Sequence, residues 1–205
     1  LFLVNGRLSE RSARGYERVG SLVRPLLHSL AGVAAQTQAD AARLEALGAR
    51  DVAVTGNLKF DLGVPDGARG LASRMRAMFG ASRPVVLAAS TRDGEEAAIL
   101  DALARSPLAV DALLVIVPRH PQRFDDVAAM LAALGIAHAR RSQDRPVPAD
   151  VRVVLGDSMG EMAGYYGAAD VAFVGGSLVP LGGQNLIEAF AMGAPVIVGP
   201  HTFNF

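Results

Sequence analysis

The stretch VVLAASTRDGEEAAILDALARSPLAVDALLVIVPRHP, residues 85–121, decides the fold. Residues 85–89 and 113–117 are apolar at every position rather than at every second one. A strand of that kind has apolar neighbours on both faces, as in a parallel sheet with helices above and below it. Residues 95–105 between them carry a helical pattern, with Asp93 as a candidate cap. Strand, helix and strand at this spacing make a parallel βαβ unit. The same alternation continues towards the carboxyl end. A helix over 121–134 has Pro121 in its first turn and stops at Gly135. Strands follow at 136–138 and 151–155, a short helix at 158–166, a strand at 171–174, a helix at 184–192 and a strand at 195–198. Towards the amino end, Gly63, Pro65, Asp66, Gly67 and Gly70 cluster as a linker. Before it come strand-like runs at 1–4, 33–36 and 52–55 and helical stretches at 21–30 and 38–47. The second of these stretches carries Ala39, Ala42, Ala46 and Leu47 on one side and closes at Gly48. The expected class is α/β: a Rossmann-like, doubly wound parallel sheet in residues 63–205, preceded in 1–62 by the closing part of another Rossmann-like domain.

Composition removes several functions. The 205 residues hold 20 Lys plus Arg against 20 Asp plus Glu, a formal net charge of zero. Proteins that bind nucleic acid broadly present a net basic surface. Tryptophan is absent and aromatics make up 5%, so stacking platforms for single strands are not expected either. Hydrophobic residues at 51% fit a globular chain. Without cysteine there is no disulfide, thiolate metal site or cysteine nucleophile, which is compatible with a reducing compartment. The least charged region, 171–200, holds only Glu188, but glycines and prolines break it before it reaches the ~20 apolar residues of a membrane span. No signal peptide is visible. The chain starts at Leu1 inside an apolar run and ends at Phe205 without a tapering tail, so it reads as an internal fragment of a longer protein. No metal is expected: His28, His120, His138 and His201 are dispersed, Asp157 and Asp170 are isolated, and no HExxH spacing occurs. No Walker A sequence is present, and no G-x-G-x-x-G follows the first strand.

In an open parallel sheet, ligands bind at the carboxyl ends of the strands. Those ends carry Ser90-Thr91-Arg92-Asp93-Gly94, Pro118-Arg119-His120-Pro121, Gly156-Asp157-Ser158-Met159-Gly160-Glu161, Gly175-Gly176-Ser177 with Gly182-Gly183-Gln184-Asn185, and Gly199-Pro200-His201-Thr202. Polar, glycine-rich segments thus share one rim. Gly182 to Asn185 opening a helix would offer backbone N–H groups and the dipole to an anion, or is a flexible turn capped by Asn185. Glu188, one turn on, would accept hydrogen bonds from vicinal sugar hydroxyls, or complete a capping box. Arg119 would bind phosphate as a forked donor and His120 would assist it, or both sit on an exposed loop. Lys59 follows the Gly56-Asn57 turn, near any cleft between domains, or is an ordinary surface lysine. Arg7, Arg11, Arg14 and Arg18 share one face if their segment is helical. That face would meet acidic headgroups or a phosphorylated acceptor, or is simply solvated.

Together these pieces resemble the 3-deoxy-D-manno-octulosonic acid (Kdo) transferases of Gram-negative lipopolysaccharide synthesis. The resemblance rests on Asn5-Gly6-Arg7-Leu8-Ser9-Glu10-Arg11-Ser12, Thr55-Gly56-Asn57-Leu58-Lys59-Phe60-Asp61, Val117-Pro118-Arg119-His120-Pro121, Gly156-Asp157-Ser158-Met159-Gly160-Glu161-Met162, Phe173-Val174-Gly175-Gly176-Ser177-Leu178, Gly182-Gly183-Gln184-Asn185 and Gly199-Pro200-His201-Thr202-Phe203-Asn204-Phe205. It implies a GT-B glycosyltransferase: an acceptor domain ending within 1–62 and a CMP-sugar donor domain in 63–205, truncated at its end. It implies inverting transfer of Kdo from CMP-Kdo to a lipid A precursor, without metal or cofactor, at the cytoplasmic face of the inner membrane. Carried over residue by residue, Pro118 and Arg119 contact CMP, Met159, Gly160 and Glu161 border the nucleotide, and Asn185, Leu186, Ile187 and Glu188 hold phosphate and ribose. Lys59 resembles the cleft lysine that stabilises charge on the phosphate and the transferred sugar. The base, a glutamate of the first domain, would lie before Leu1, so the fragment alone is expected to be inactive. Arg92 and Gln184 stand where many members carry histidine; both keep hydrogen-bonding capacity, and Arg92 adds a permanent charge. Other readings of the same residues are a UDP-sugar transferase or nucleotide-sugar epimerase of GT-B type, a non-catalytic nucleotide-binding module, or a dimerising scaffold.

Overall fold

A computed structural model describes residues 1–61, 63–107 and 111–204. The chain divides into two units, Leu1–Leu62 and Gly63–Phe205. In the first, β1 (Phe2–Gly6), β2 (Gly32–Ala35) and β3 (Val52–Val54) form a parallel sheet in the order β1-β2-β3. Helices α1 (Glu10–Arg18), α2 (Gly20–His28) and α3 (Gln38–Ala46) connect them. Ser9 and Thr37 cap α1 and α3 by accepting from the N–H of Ser12 and Asp40. The buried side of α3 is Ala41, Leu44 and Leu47, one residue round from the alanine face that the sequence suggested. Ala39, Ala42 and Ala46 are exposed, because Asp40 turns inward to accept from the Leu8 N–H at 2.8 Å. Arg11, Arg14 and Arg18 lie on α1, whereas Arg7 precedes its cap.

The second unit is a six-stranded, all-parallel sheet. Its strands are β4 (Val85–Thr91), β5 (Leu113–Pro118), β6 (His138–Arg140), β7 (Val153–Leu155), β8 (Val171–Val174) and β9 (Val196–Ile197), in the order β6-β7-β5-β4-β8-β9. The connecting helices are α4 (Ala68–Phe79), α5 (Glu95–Ala104), α6 (Phe124–Ala133), α7 (Met162–Ala168) and α8 (Ile187–Ala191). Because alternate strand residues face opposite ways, the strands supply two cores. Val85, Leu87, Leu113 and Val115 pack with Met75, Phe79, Tyr165 and Tyr166 on one face. Ala88, Leu114 and Ile116 pack with Val127, Leu131 and Ile99 on the other. This is the doubly wound α/β class that the unbroken apolar runs implied.

Several boundaries differ from the sequence reading: α7 begins at Met162 rather than at Ser158, and α6 at Phe124 after a 3-10 turn at Pro121–Arg123. The glycine-rich segment is not linker throughout: Gly67, at φ 76°, turns the chain directly into α4, a helix absent from that reading. The strand expected from 136 begins only at His138, as β6. The Gly135 N–H donates to Ala132 O and the Ile136 N–H to Leu131 O, a Schellman closure that uses Ile136 to finish α6. Finally, α8 begins at Ile187, not at Gln184.

Candidate functional site

The chain runs from β4 to β5 on one side and reaches β8 on the other, so the winding reverses between β4 and β8. The crevice at the carboxyl ends of such strands is where this sheet type holds ligands. Among the described residues the polar ones buried as whole residues are Asp40, Ser90, Thr91, Glu95, Glu96 and Ser177. All but Asp40 stand at this one rim.

Glu95 organises it. Its carboxylate accepts from the backbone N–H of Gly176 (2.7 Å), Ser177 (3.1 Å), Leu178 (3.0 Å) and Arg92 (2.8 Å). The α5 start and the β8 loop are thereby one rigid piece; Gly94, rather than Asp93, is the residue that caps α5. Asp93 pairs instead with Arg123. Glu96 accepts from Thr91 Oγ1 (2.7 Å) and Arg123 Nη1 (2.6 Å), and the Arg119 N–H donates to Thr91 O (3.0 Å). The β5 loop is so tied to β4. Ser90 is held at φ 55°, left-handed for a residue with a side chain. Gly175 makes that approach possible, since a Cβ there would meet Ser90 O at 2.4 Å.

Two cavities open on this rim. The larger, of about 620 Å³, is lined by Pro118, Arg119, Met159, Gly160, Glu161 and Glu188, along with Ser90, Arg74 and the start of α4. The smaller, of about 180 Å³, is lined by Ser90, Arg119, Gln184, Asn185 and Glu188 between Met162 and Tyr166. Seven of the candidate residues therefore converge. Leu186 and Ile187 line neither cavity. With Gly182 and Gly183 at φ near +80°, the chain stays irregular up to Leu186. Asn185 Oδ1 accepts from the Ile187 N–H at 3.0 Å rather than capping a long helix. The anion-binding helix terminus expected at 182–185 is thus absent, and a five-residue helix has no such terminus to offer. His120 is engaged by Arg92, Nη1 to Nε2 at 2.6 Å.

Sequence reasoning missed Arg74, because α4 was missed, and it missed what holds Glu161. Arg141 Nη2 donates to Glu161 Oε1 at 2.9 Å, Ser158 Oγ donates to Oε2, and Tyr165 OH lies 2.8 Å from Ser158 Oγ. Burial pushes the Tyr165 hydroxyl well above its ordinary pKa, and since Ser158 gives its one hydrogen to Glu161, Tyr165 is the donor between the two hydroxyls. Nearby, burial alone would raise the Asp157 carboxyl. Hydrogen bonds from Ser142 and Arg140 outweigh it and hold the group below the usual carboxylate range. Among the described residues no three His, Asp or Glu side chains gather as a metal would require.

Comparison with known proteins gives this arrangement its family. The family model described as 3-deoxy-D-manno-octulosonic-acid transferase (kdotransferase) matches residues 1–62. The 3-deoxy-D-manno-octulosonic acid transferase of Bordetella pertussis is 49% identical over 208 residues, 99% of this chain and 48% of that protein. The corresponding protein of Haemophilus influenzae is 40% identical over 99% of this chain and 48% of its own length. The solved C-terminal CMP-Kdo binding domain of WaaA from Acinetobacter baumannii is similar at 39% identity and a TM-score of 0.63, covering 68% of this chain and 74% of that one. The chain belongs to the Kdo transferase family. It spans about half the length of the curated relatives it matches. Of the Kdo-transferase positions, Lys59 stands in the first unit, exposed on a 3-10 turn (Leu58–Asp61), with its N–H donated to Asn57 Oδ1 at 3.0 Å. The others belong to the second.

Proposed function

We propose that this chain is part of an enzyme that transfers Kdo from CMP-Kdo to a lipid A precursor in lipopolysaccharide core biosynthesis, and that residues 63–205 bind the CMP-sugar. The carrying observation is that Arg119, Met159–Glu161 and Glu188, far apart in sequence, line one cavity at the reversal point of the sheet. The similarity to a CMP-Kdo binding domain supports the same reading. Arg119 offers a forked cation to the phosphate. Glu188, on both cavities, accepts from the ribose hydroxyls. Lys59, the only lysine of the sequence, stabilises charge that develops on the phosphate as the glycosidic bond to it breaks, which lowers the barrier most where water is scarce. Transfer inverts the sugar and uses no metal. The acceptor hydroxyl needs a base, and no side chain of this chain is assigned to it, so the chain alone binds donor without transferring it. In the whole protein the acceptor is met at the cytoplasmic face of the inner membrane; none of the described helices is long and apolar enough to cross it.

The test is a calorimetric titration of the chain with CMP and with UDP. CMP-selective binding is expected. UDP-selective binding would move the chain to another donor class, and detection of Kdo transfer by the purified chain would overturn the claim about the base.

A further inference from the structure

We propose that Glu95 is a positioning residue for donor binding: it is the protein's own anion, seated in a nest of backbone N–H groups, and it holds the loop at 182–186 in its binding shape. This inference rests on the donor-site reading above.

The Glu95 carboxylate is fully buried. Gly176, at φ 72°, turns the chain after β8 so that three consecutive N–H groups, those of Gly176, Ser177 and Leu178, converge on one point. Such a concavity binds anions. Here it is filled from within. Oε2 accepts from Gly176 and Arg92, and Oε1 accepts from Ser177 and Leu178. The next residue, Glu96, is met by the cation Arg123. Among the described residues every partner of Glu95 is a backbone N–H, so its charge acts on the backbone alone. A donor phosphate cannot enter a nest that is already occupied, and it is left to Arg119.

What Glu95 holds leads to the smaller cavity. Gly176, pinned through its N–H, accepts from the Gly183 N–H at 2.8 Å through its oxygen. Gln184 lies against the same glycine, where a Cβ would meet its Nε2 at 2.9 Å. Gln184 and Asn185 line the cavity. Residues 182–186 form neither helix nor strand. Among the described residues, and apart from α8, their main-chain hydrogen bonds to the rest of the fold run to Gly176 and to Asn204. One of these two anchors therefore depends on Glu95.

The experiment titrates the full chain and its Glu95→Ala variant with CMP, in sodium acetate and in sodium chloride of equal strength. The atoms removed by Glu95→Ala are a methylene and a carboxylate, which acetate replaces. If the loop then keeps its binding shape in one molecule in ten, apparent CMP affinity falls about tenfold. Acetate should return it to within about threefold of the wild-type value as the nest refills. Acetamide, which turns an amino group on one pair of N–H donors, should not. The wild-type chain in acetate measures any competition at Arg119. In amide spectra the Gly176, Ser177 and Leu178 resonances of Glu95→Ala should return towards their wild-type positions with acetate, while those of the wild type stay in place. A side chain that only braces the fold would lower stability and leave the CMP affinity of the folded variant unchanged. That result overturns the inference and leaves the donor site intact, and so does a loss that acetate does not repair. If Glu95→Ala does not fold by circular dichroism with acetate present, Glu95→Gln is titrated instead. It keeps the shape, sets its amino group against two donors, and should lose about fivefold or more in CMP affinity; wild-type affinity in that variant overturns the inference. A wild-type chain that does not bind CMP overturns the donor-site reading and this inference with it.

Discussion

The first unit and the second are both parallel α/β, but only the second carries a core on each face of its sheet. In the first, Phe2, Val4 and Val54 remain 69%, 63% and 47% exposed while Val33 and Ala35 are buried. In the second, β5 is buried along its whole length. The polar interiors differ as well. The first unit buries one carboxylate, Asp40, which secures the chain between β1 and α1. Among its described residues the second has five polar ones buried whole, all at the rim that the two candidate-site cavities open on. Polar groups buried beside a cavity hold loops in place for a ligand; one buried beneath a helix start holds the fold.

Four perturbations sharpen that contrast, in falling order of effect. Glu95→Ala strips the acceptor from four backbone N–H groups, two of them in fully buried residues. At about 1–3 kcal/mol for each unsatisfied group, it should cost roughly 3–5 kcal/mol in urea unfolding. Asp40→Ala, with fewer donors, should cost about 1–3 kcal/mol. Equal costs would remove the distinction between the two interiors. Gly175→Ala forces a methyl against the Ser90 backbone, where no side chain can yield. About 1–3 kcal/mol of strain is expected, with a weaker CMP titration, since β4 and β8 must part at the site. An unchanged affinity would mean that the Ser90 approach does not matter to binding.

The fourth is acid. Asp40 and Asp157 both have carboxyls held below their ordinary value. On acidification the unfolded chain therefore takes up its protons first. Stability should be intact above about pH 5 and fall as pH drops below about 4, towards the folded-state values. Asp157→Asn should flatten that fall; an unaltered acid profile would show that the Ser142 and Arg140 bonds do not couple to folding.

Much of this was legible in the sequence because one-dimensional signals carried it. Unbroken apolar runs at 85–89 and 113–117 announce a doubly covered sheet, and the polar segments after them mark the rim. Gly48 ends α3 as a helix-closing glycine should, at φ 104°. The failures have physical causes. The start of α4 looked like linker because Gly67 and Gly70 are helix breakers in isolation, yet one turns the chain and the other sits in a first turn held by packing of Leu71, Ala72 and Met75. The run at 182–186 looked like a helix start because nothing local says that Gly182 and Gly183 both take positive φ. The pairing of Arg141 with Glu161 joins two loops twenty residues apart, and no spacing rule reaches that far.

The most direct test is to follow backbone amide shifts of the labelled chain as CMP is added. The account predicts perturbations at Arg119, Gly160 and Glu188 and their neighbours along the carboxyl ends of β4, β5 and β7, with α1 unaffected. Shifts centred on Arg11 and Arg14 of the first unit, or at the opposite end of the large sheet around Gly80 and Asp170, would contradict it.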